Sequence, residues 1–326
     1  MLEQEQTQMN SPETKGQSLA ESLSYLIKAL RPKQWTKNLL IIIPIIFAVK
    51  LTDLKALSAT VTYAALFCLA SSSVYLMNDV IDIEQDRIHP IKRERPIASG
   101  KISIPVALGL SVILGLISLI GSFLVRPSLA LIVLLYFLLN VLYGRVLKHQ
   151  VLLDVMAVAA GFVLRTTGGC LAAQVPQSGW LCLCTTFGAL FLALEKRRHE
   201  LGILGGQAQH HRPALLRYSE SLLNRIESVI VPTVLICYIL YSFLSYHGQW
   251  MMVTVPFVFY GIVRYQLLSN AKILTGSPEE VLLKDRPIQI TIVLWLLAAI
   301  GVLYGFIPQT FHALINWLDS LALSHF

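Results

Sequence analysis

Residues 57–86 read LSATVTYAALFCLASSSVYLMNDVIDIEQD. The first 21 of them, 57–77, hold no Asp, Glu, Lys or Arg, and ~20 predominantly apolar residues in a helix are enough to cross a bilayer's hydrocarbon core. The stretch then turns acidic, with Asn78, Asp79, Asp82, Glu84 and Asp86 inside nine residues. An apolar helix that runs straight into carboxylates is a membrane helix whose end meets water and something cationic.

The rest of the chain repeats the apolar half of this pattern. Of 326 residues, 55% are hydrophobic and 14% charged, against about 25% charged in an average soluble domain. Further apolar runs cover roughly 38–50, 103–125, 127–143, 151–173, 178–194, 228–246, 249–268 and 288–307, so the pattern predicts an all-α membrane bundle of about nine spans. The first run, between Lys37 and Lys50, is short and holds Pro44; it continues from the amphipathic stretch Leu23–Leu30. Residues 1–20 are polar and read as a disordered tail, without the basic start and apolar core of a signal peptide. Residues 21–307 are expected to form one transmembrane unit, and 308–326 a short C-terminal segment in the interface.

Charge tests this count. With nine spans and a cytoplasmic N-terminus, 22 of the 26 Lys and Arg fall inside, three (Lys50, Lys55, Arg126) fall outside, and Arg165 lies within a span. That asymmetry is the positive-inside signature; it puts the C-terminus outside and suits a multi-pass protein of a bacterial inner or plasma membrane. The long loops are the inside ones, so chemistry is expected at the cytoplasmic face. The net charge of +7 then reflects loops against an anionic leaflet. The basic residues form no recognition helix, and no nucleic-acid partner is expected. The five cysteines (Cys68, Cys170, Cys182, Cys184, Cys237) all lie in apolar runs and read as packing residues, not as disulfides or metal ligands.

Asn78, Asp82 and Asp86 fall at i, i+4 and i+8, one face of a helix, with Asp79 three residues before Asp82. Stacked like charges need a cation, and carboxylate oxygens suit Mg²⁺, which takes few protein ligands and bridges substrate phosphates. A basic run follows at once, Arg87, His89, Lys92, Arg93 and Arg95; Arg and Lys are the natural partners of phosphate oxygens. Acid for metal followed by base for phosphate is the order of a metal–diphosphate site. Alone, the basic run serves equally as a topology determinant.

Asn78-Asp79-x-x-Asp82-x-x-x-Asp86 followed by Lys92-x-x-Arg95-Pro96-Ile97-Ala98-x-Gly100 resembles the first aspartate motif of the UbiA superfamily of intramembrane prenyltransferases. The resemblance implies a nine-helix bundle with a cytoplasm-facing active-site cavity. Arg31-Pro32-Lys33-Gln34-Trp35-Thr36-Lys37-Asn38, the segment from Tyr143 to Gln150, Asp154-Val155 and the segment from Gly161 to Arg165 are similar to the branch containing decaprenyl-phosphate phosphoribosyltransferase. The likeness runs over most of residues 25–305. Ordinary members carry a second aspartate-rich motif after span 6. Here that place reads Glu195-Lys196-Arg197-Arg198-His199-Glu200, which serves a phosphate monoester better than a second metal.

The resemblance implies Mg²⁺ held by Asp79, Asp82 and Asp86, with Asn78 as a further ligand, binding the leaving diphosphate of phosphoribosyl diphosphate. A polyprenyl phosphate attacks C1 of the ribose, its tail lying between apolar helices. The three aspartates are then the catalytic residues. Lys37, Asn38, Arg87, His89, Lys92, Arg95, Tyr143, Lys148, Asp154, Lys196 and Arg197 are the substrate-binding candidates, and spacing leaves open how they divide among the phosphates. Asp154 is expected against Lys148 at the cavity rim, with a structural ion pair equally compatible; Arg165 is expected to bond carbonyls at a bend. His210-His211 reads as a solvated turn. A prenyltransferase acting on an aromatic ring is the alternative within the superfamily, and the basic second motif speaks against it. A lipid-phosphate transporter is the alternative of another class; the acidic motif has no second copy to suggest the internal repeats common in transporters. Oligomerisation is left open.

Overall fold

A computed structural model of the chain describes residues 19–204, 217–244, 248–270, 281 and 284–323. Residues 1–18 of the polar tail and the His210-His211 turn lie outside the described residues. In order, the chain forms α1 (Leu19–Leu30), a 3₁₀ segment (Pro32–Ile41), α2 (Ile43–Phe47), α3 (Leu54–Ile81), α4 (Ile83–Ile88), α5 (Ile104–Val125), α6 (Pro127–Arg145) and α7 (Leu153–Ala173). It continues with α8 (Gly179–Leu204), α9 (Glu220–Leu244), α10 (Gly248–Met251), α11 (Val255–Asn270), α12 (Arg286–Leu303) and α13 (Phe306–Leu323). Among the described residues there is no strand. Among the described residues eight stretches are long and apolar enough to cross a membrane: α3, α5, α6, α7, α8, α9, Gln249–Ser269 and α12. The chain is an integral, multi-pass membrane protein.

The ninth expected span, 38–50, is not a continuous helix. Pro32 opens the 3₁₀ segment and Pro44 stands at the start of α2, and each proline withholds a backbone donor. Arg31, between α1 and the 3₁₀ segment, adopts a left-handed backbone with φ 55° and ψ 59°. Irregular backbone at membrane depth is tolerated where it is buried or lines a cavity, and Leu39, Leu40 and Ile43 of this segment do line one. Elsewhere helices overrun their apolar stretches. α3 continues to Ile81 and α8 to Leu204, while α9 already starts at Glu220. Hydropathy marks the hydrocarbon, whereas Glu, Lys and Arg are good helix formers that carry α8 and α9 beyond it.

α3 packs against α5, α6, α7 and the 3₁₀ segment, and α8 lies between α7 and α9. Small residues allow the α3–α5 contact, as is usual between membrane helices. There the buried hydroxyls of Ser73 and Ser111 each donate to the other's backbone carbonyl, at 2.8 and 2.9 Å. Outward-facing leucines and isoleucines such as Ile113, Leu124 and Leu138 stay exposed, because lipid tails are as apolar as they are. Among the described glycines the tightest approach sits at Gly169 of α7. A Cβ there would lie 2.3 Å from the carbonyl oxygen of Ile41. Only glycine lets α7 lie this close to the 3₁₀ segment, which brings Lys37 and Asn38 against the helix that carries Arg165.

Replacing Gly169 by Val is expected to cost about 1–3 kcal/mol through overpacking, read as a lower unfolding temperature in detergent. Gly109→Ala, where an added Cβ meets nothing within 4 Å, should leave that temperature unchanged.

Candidate active site

α3 does not continue through the acidic motif. It stops at Ile81, and Asp82 sits at the break with φ −91° and ψ 11° before α4 begins. The backbone N–H of Asp82 still bonds the Asn78 carbonyl at 2.9 Å and that of Asp86 the Asp82 carbonyl at 2.8 Å, so the helical spacing of the motif is kept across this junction. Asp79 and Asp86 are buried, and Arg95, from the loop after α4, joins them. Its Nη1 donates to Asp79 Oδ1 at 3.0 Å and to Asp86 Oδ2 at 2.6 Å. Arg31 donates to the same oxygen of Asp79 and lies 5.0 Å above the Tyr75 ring. Asp82 is half-buried and accepts from Lys148 Nζ at 3.2 Å. Two carboxylates taken from water cost several kcal/mol without compensation, and the two guanidinium groups supply it. Burial pushes the Asp86 carboxyl above the ordinary carboxylate range even with Arg95 beside it.

Among the described residues no three His, Cys, Asp or Glu side chains form a ready-made metal cage. Mg²⁺ does not require one, since one or two carboxylates, water and substrate phosphate suffice. Asp79 and Asp86, linked through a single nitrogen, with Asn78 and Asp82 flanking them in the chain, are an all-oxygen donor set of that kind.

The basic turn after α4 is only partly engaged with this corner. Arg87 is exposed, donating to the Ala98 carbonyl at 3.4 Å and to Glu84 at 3.3 Å. His89 is buried, and its Nδ1 accepts from the backbone N–H of Ile91 and Lys92 at 3.2 and 3.3 Å. A ring nitrogen that accepts carries no proton, which assigns the neutral ring's proton to Nε2. Lys92 is exposed on the same turn.

A cavity of about 440 Å³ opens between the 3₁₀ segment, α3, α6, α7 and α8; its polar wall holds Lys37, Asn78, Tyr143, Lys196 and Arg197. Its apolar wall includes Leu40, Ile43, Leu139 and Phe162. Among the described residues no carboxylate lines it. A second cavity of about 810 Å³ shares Leu40 and Ile43 with the first and is lined mainly by apolar and aromatic side chains, among them Phe47, Val234 and Trp295. Asn38 is buried; its Oδ1 accepts from Arg165 Nε at 2.9 Å, and its Nδ2 donates to Ser71 Oγ at 3.2 Å. Arg165 also donates to the Gly161 carbonyl at 2.8 Å and stacks near Phe67, Tyr136 and Phe162 at 5.1–5.4 Å. It bonds a carbonyl of its own helix, as the sequence suggested, and holds Asn38 as well.

Asp154 does not meet Lys148. Lys148 lies in the turn before α7 and reaches the end of α3, whereas Asp154 lies inside α7 and faces α8. Its Oδ2 is 2.9 Å from Arg197 Nε, with both side chains at most 2% exposed. Its Oδ1 accepts from the Tyr218 hydroxyl at 2.7 Å. Arg197 also pairs with Glu200 and approaches the Tyr143 hydroxyl at 3.5 Å. Burial and the bond to Asp154 push the Tyr218 phenol above its ordinary range, so it remains a donor. The basic run of α8 is thus split by helical phase, about 100° per residue. Lys196 is exposed and Arg197 is buried in its ion pairs, both lining the cavity, and Arg198 turns to Glu195 and Glu227.

Two participants were not singled out from sequence. Arg31 belongs to a sequence motif that gives it no role of its own, and its bond to Asp79 spans 48 positions. Tyr218 stands 64 positions from Asp154. Neither separation carries a periodic signal.

The sequence model of the UbiA prenyltransferase family matches residues 39–273. A decaprenyl-phosphate phosphoribosyltransferase of Mycolicibacterium smegmatis is 37% identical over 290 residues, covering 84% of this chain and 91% of the relative. The enzyme of that name from Mycobacterium tuberculosis is 34% identical over 294 residues, covering 88% and 96%. Among solved structures, a UbiA homolog from Archaeoglobus fulgidus bound to GPP and Mg²⁺ superposes with a TM-score of 0.66 at 18% identity, over 86% of this chain and 99% of the other. At that identity the likeness is one of fold.

Removing the shared guanidinium tests the corner directly. Arg95→Leu leaves two buried carboxylates short of charge and should cost about 2–4 kcal/mol of stability. Adding Asp79→Asn and Asp86→Asn should restore most of it, both read from unfolding in detergent.

Proposed function

The chain belongs to the UbiA prenyltransferase family and is a transferase of that superfamily, and we propose that it moves 5-phosphoribose from phosphoribosyl diphosphate to a polyprenyl phosphate, releasing diphosphate. The observation that carries this reading is the division of the site into two chemically different halves. An all-oxygen acidic corner with arginines beside it suits a metal-bound diphosphate. The adjoining cavity has Lys37 and Lys196 in its wall and, among the described residues, no carboxylate, which suits a phosphate without a metal. The two mycobacterial relatives, named for this activity and similar over most of both chains, support the same reading.

In this reading Asp79 and Asp86, with Asp82 and Asn78, hold Mg²⁺. When bound, the metal neutralises charge growing on the leaving diphosphate. Arg31 and Arg95 offer donors to the diphosphate from the corner itself, and Arg87 and Lys92 offer them from the turn. Lys37, Lys196 and the Tyr143 hydroxyl orient the lipid phosphate toward C1 of the ribose. That phosphate is already an anion at neutral pH, so positioning and electrostatics carry the chemistry and no strong base is needed. The isoprenoid tail has the two apolar cavity walls to lie against. Asn38, Asp154 and Arg197 keep the walls in place, Lys148 orients Asp82, and His89 closes the basic turn. The excess of Lys and Arg in alternate loops favours a site open to the cytoplasm.

Purified protein in nanodiscs, given Mg²⁺, phosphoribosyl diphosphate and a polyprenyl phosphate, should release diphosphate and form a phosphoribosylated lipid. A chelator should stop the reaction and added Mg²⁺ restore it. Turnover of a prenyl diphosphate with an aromatic acceptor in place of this reaction would sink the proposal. Asp79→Asn should lower kcat by at least about 100-fold. Lys196→Met should raise the acceptor KM about tenfold, the loss of one charge-assisted hydrogen bond of about 1.5–3 kcal/mol.

A further inference from the structure

One buried group outside the substrate-facing walls bonds twice to the start of α7. Tyr218 precedes α9 and is 4% exposed. Its hydroxyl accepts from the backbone N–H of Leu152 at 2.9 Å and donates to Asp154 Oδ1 at 2.7 Å. A phenol has a single proton. Tyr218 can therefore serve the carboxylate, which has no donor of its own, while a lone pair takes the Leu152 N–H. Leu152 holds φ 69° and ψ −43°, a conformation that costs a non-glycine residue energy and persists only where the surroundings enforce it. The N–H that this backbone turns outward is the one the hydroxyl accepts.

Asp154 carries the connection onward. It is fully buried, so both its oxygens need positive or donating partners. Tyr218 takes Oδ1, and the Arg197 guanidinium lies 2.9 Å from Oδ2. Arg197 sits among Asp154, Glu200 and the Tyr143 hydroxyl, and Tyr143 and the neighbouring Lys196 line the cavity. The rotational setting of this end of α8 decides whether Lys196 faces the cavity. That setting is held by an ion pair whose carboxylate is oriented from behind by a tyrosine.

We propose that Tyr218 is a positioning residue, acting through Asp154 and Arg197 to hold Lys196 and Tyr143 in the cavity wall where the phosphate of the lipid acceptor binds. The assignment of that phosphate rests on the function proposed above; the relay itself does not. Tyr218 touches neither substrate. Its influence falls on the acceptor side, because the acidic corner has its own arginines in Arg31 and Arg95.

Tyr218→Phe removes the hydroxyl and keeps the ring. It should raise the acceptor KM at least fivefold and leave the phosphoribosyl diphosphate KM within twofold, a split that general loss of folded protein does not produce. Asp154→Asn should show the same split, and the double variant should be no worse than Asp154→Asn alone, as expected for groups in one chain of contacts. A readout independent of turnover is the acetylation rate of individual lysines, followed by mass spectrometry on the intact protein in nanodiscs. Lys196 labelling should rise at least threefold in Tyr218→Phe, with Lys37 unchanged. If the wild type transfers no phosphoribose yet Lys196 labelling responds in this way, the proposed function fails and the relay stands. Unchanged Lys196 labelling, an equal rise in both KM values, or additive losses in the double variant would each overturn the relay.

Discussion

Two carboxylates buried together at the end of a membrane helix cannot persist without positive charge, and this requirement organises the site. Asp79 and Asp86 are neutralised by Arg31 and Arg95, which arrive from opposite directions along the chain. Arg31 precedes the irregular first segment, and Arg95 follows the basic turn. Satisfying the charge therefore pins both to the end of α3. Once Arg31 is fixed, the 3₁₀ segment must run back along α7, and the absence of a side chain at Gly169 lets it do so. The cavity is the space left between these constrained parts.

The same logic of charge divides the interior. Among the described residues the carboxylates about the cavity are paired with cations: Asp82 has Lys148, Asp154 and Glu200 share Arg197, and Glu195 and Glu227 share Arg198. Arg165 alone among these buried groups is satisfied by neutral partners: a carbonyl, an amide oxygen, a hydroxyl and aromatic faces. The cavity is left with a positive character, while the acidic corner is close to balanced. In the proposed reaction, opposite electrostatic preferences a few residues apart would let one small site distinguish a metal-bound anion from a bare one.

The membrane bundle, the family and the acidic motif were legible in the sequence because hydropathy and short spacings are local properties. The bend at Asp82 was not. Ile81-Asp82-Ile83 contains no glycine or proline, and its carboxylates settle by pairing with residues outside the helix. Nor could spacing separate Lys196 from Arg197. In sequence they form one basic block, whereas on α8 they differ by about 100°, and Lys196 is exposed where Arg197 is buried. The discontinuity of the ninth expected span has a related reason: its residues are apolar enough, but Pro32 and Pro44 and the left-handed Arg31 deny it and the stretch before it one continuous helix. Ion pairs such as Arg31–Asp79 and contacts such as Tyr218–Asp154 join distant segments and become visible only when the chain is folded.

The overrun of α3 beyond its apolar residues has a further consequence. Its 28 residues make a rod about 42 Å long, against a hydrocarbon core of ~30 Å, and the charged end belongs in the headgroup layer. A lipid's phosphate occupies that same layer. In the proposed reaction one substrate is therefore supplied by lateral diffusion in a surface and the other by solution. The enzyme should saturate with the mole fraction of acceptor in the membrane rather than with its bulk concentration, so diluting the vesicles at fixed lipid composition would leave its rate unchanged.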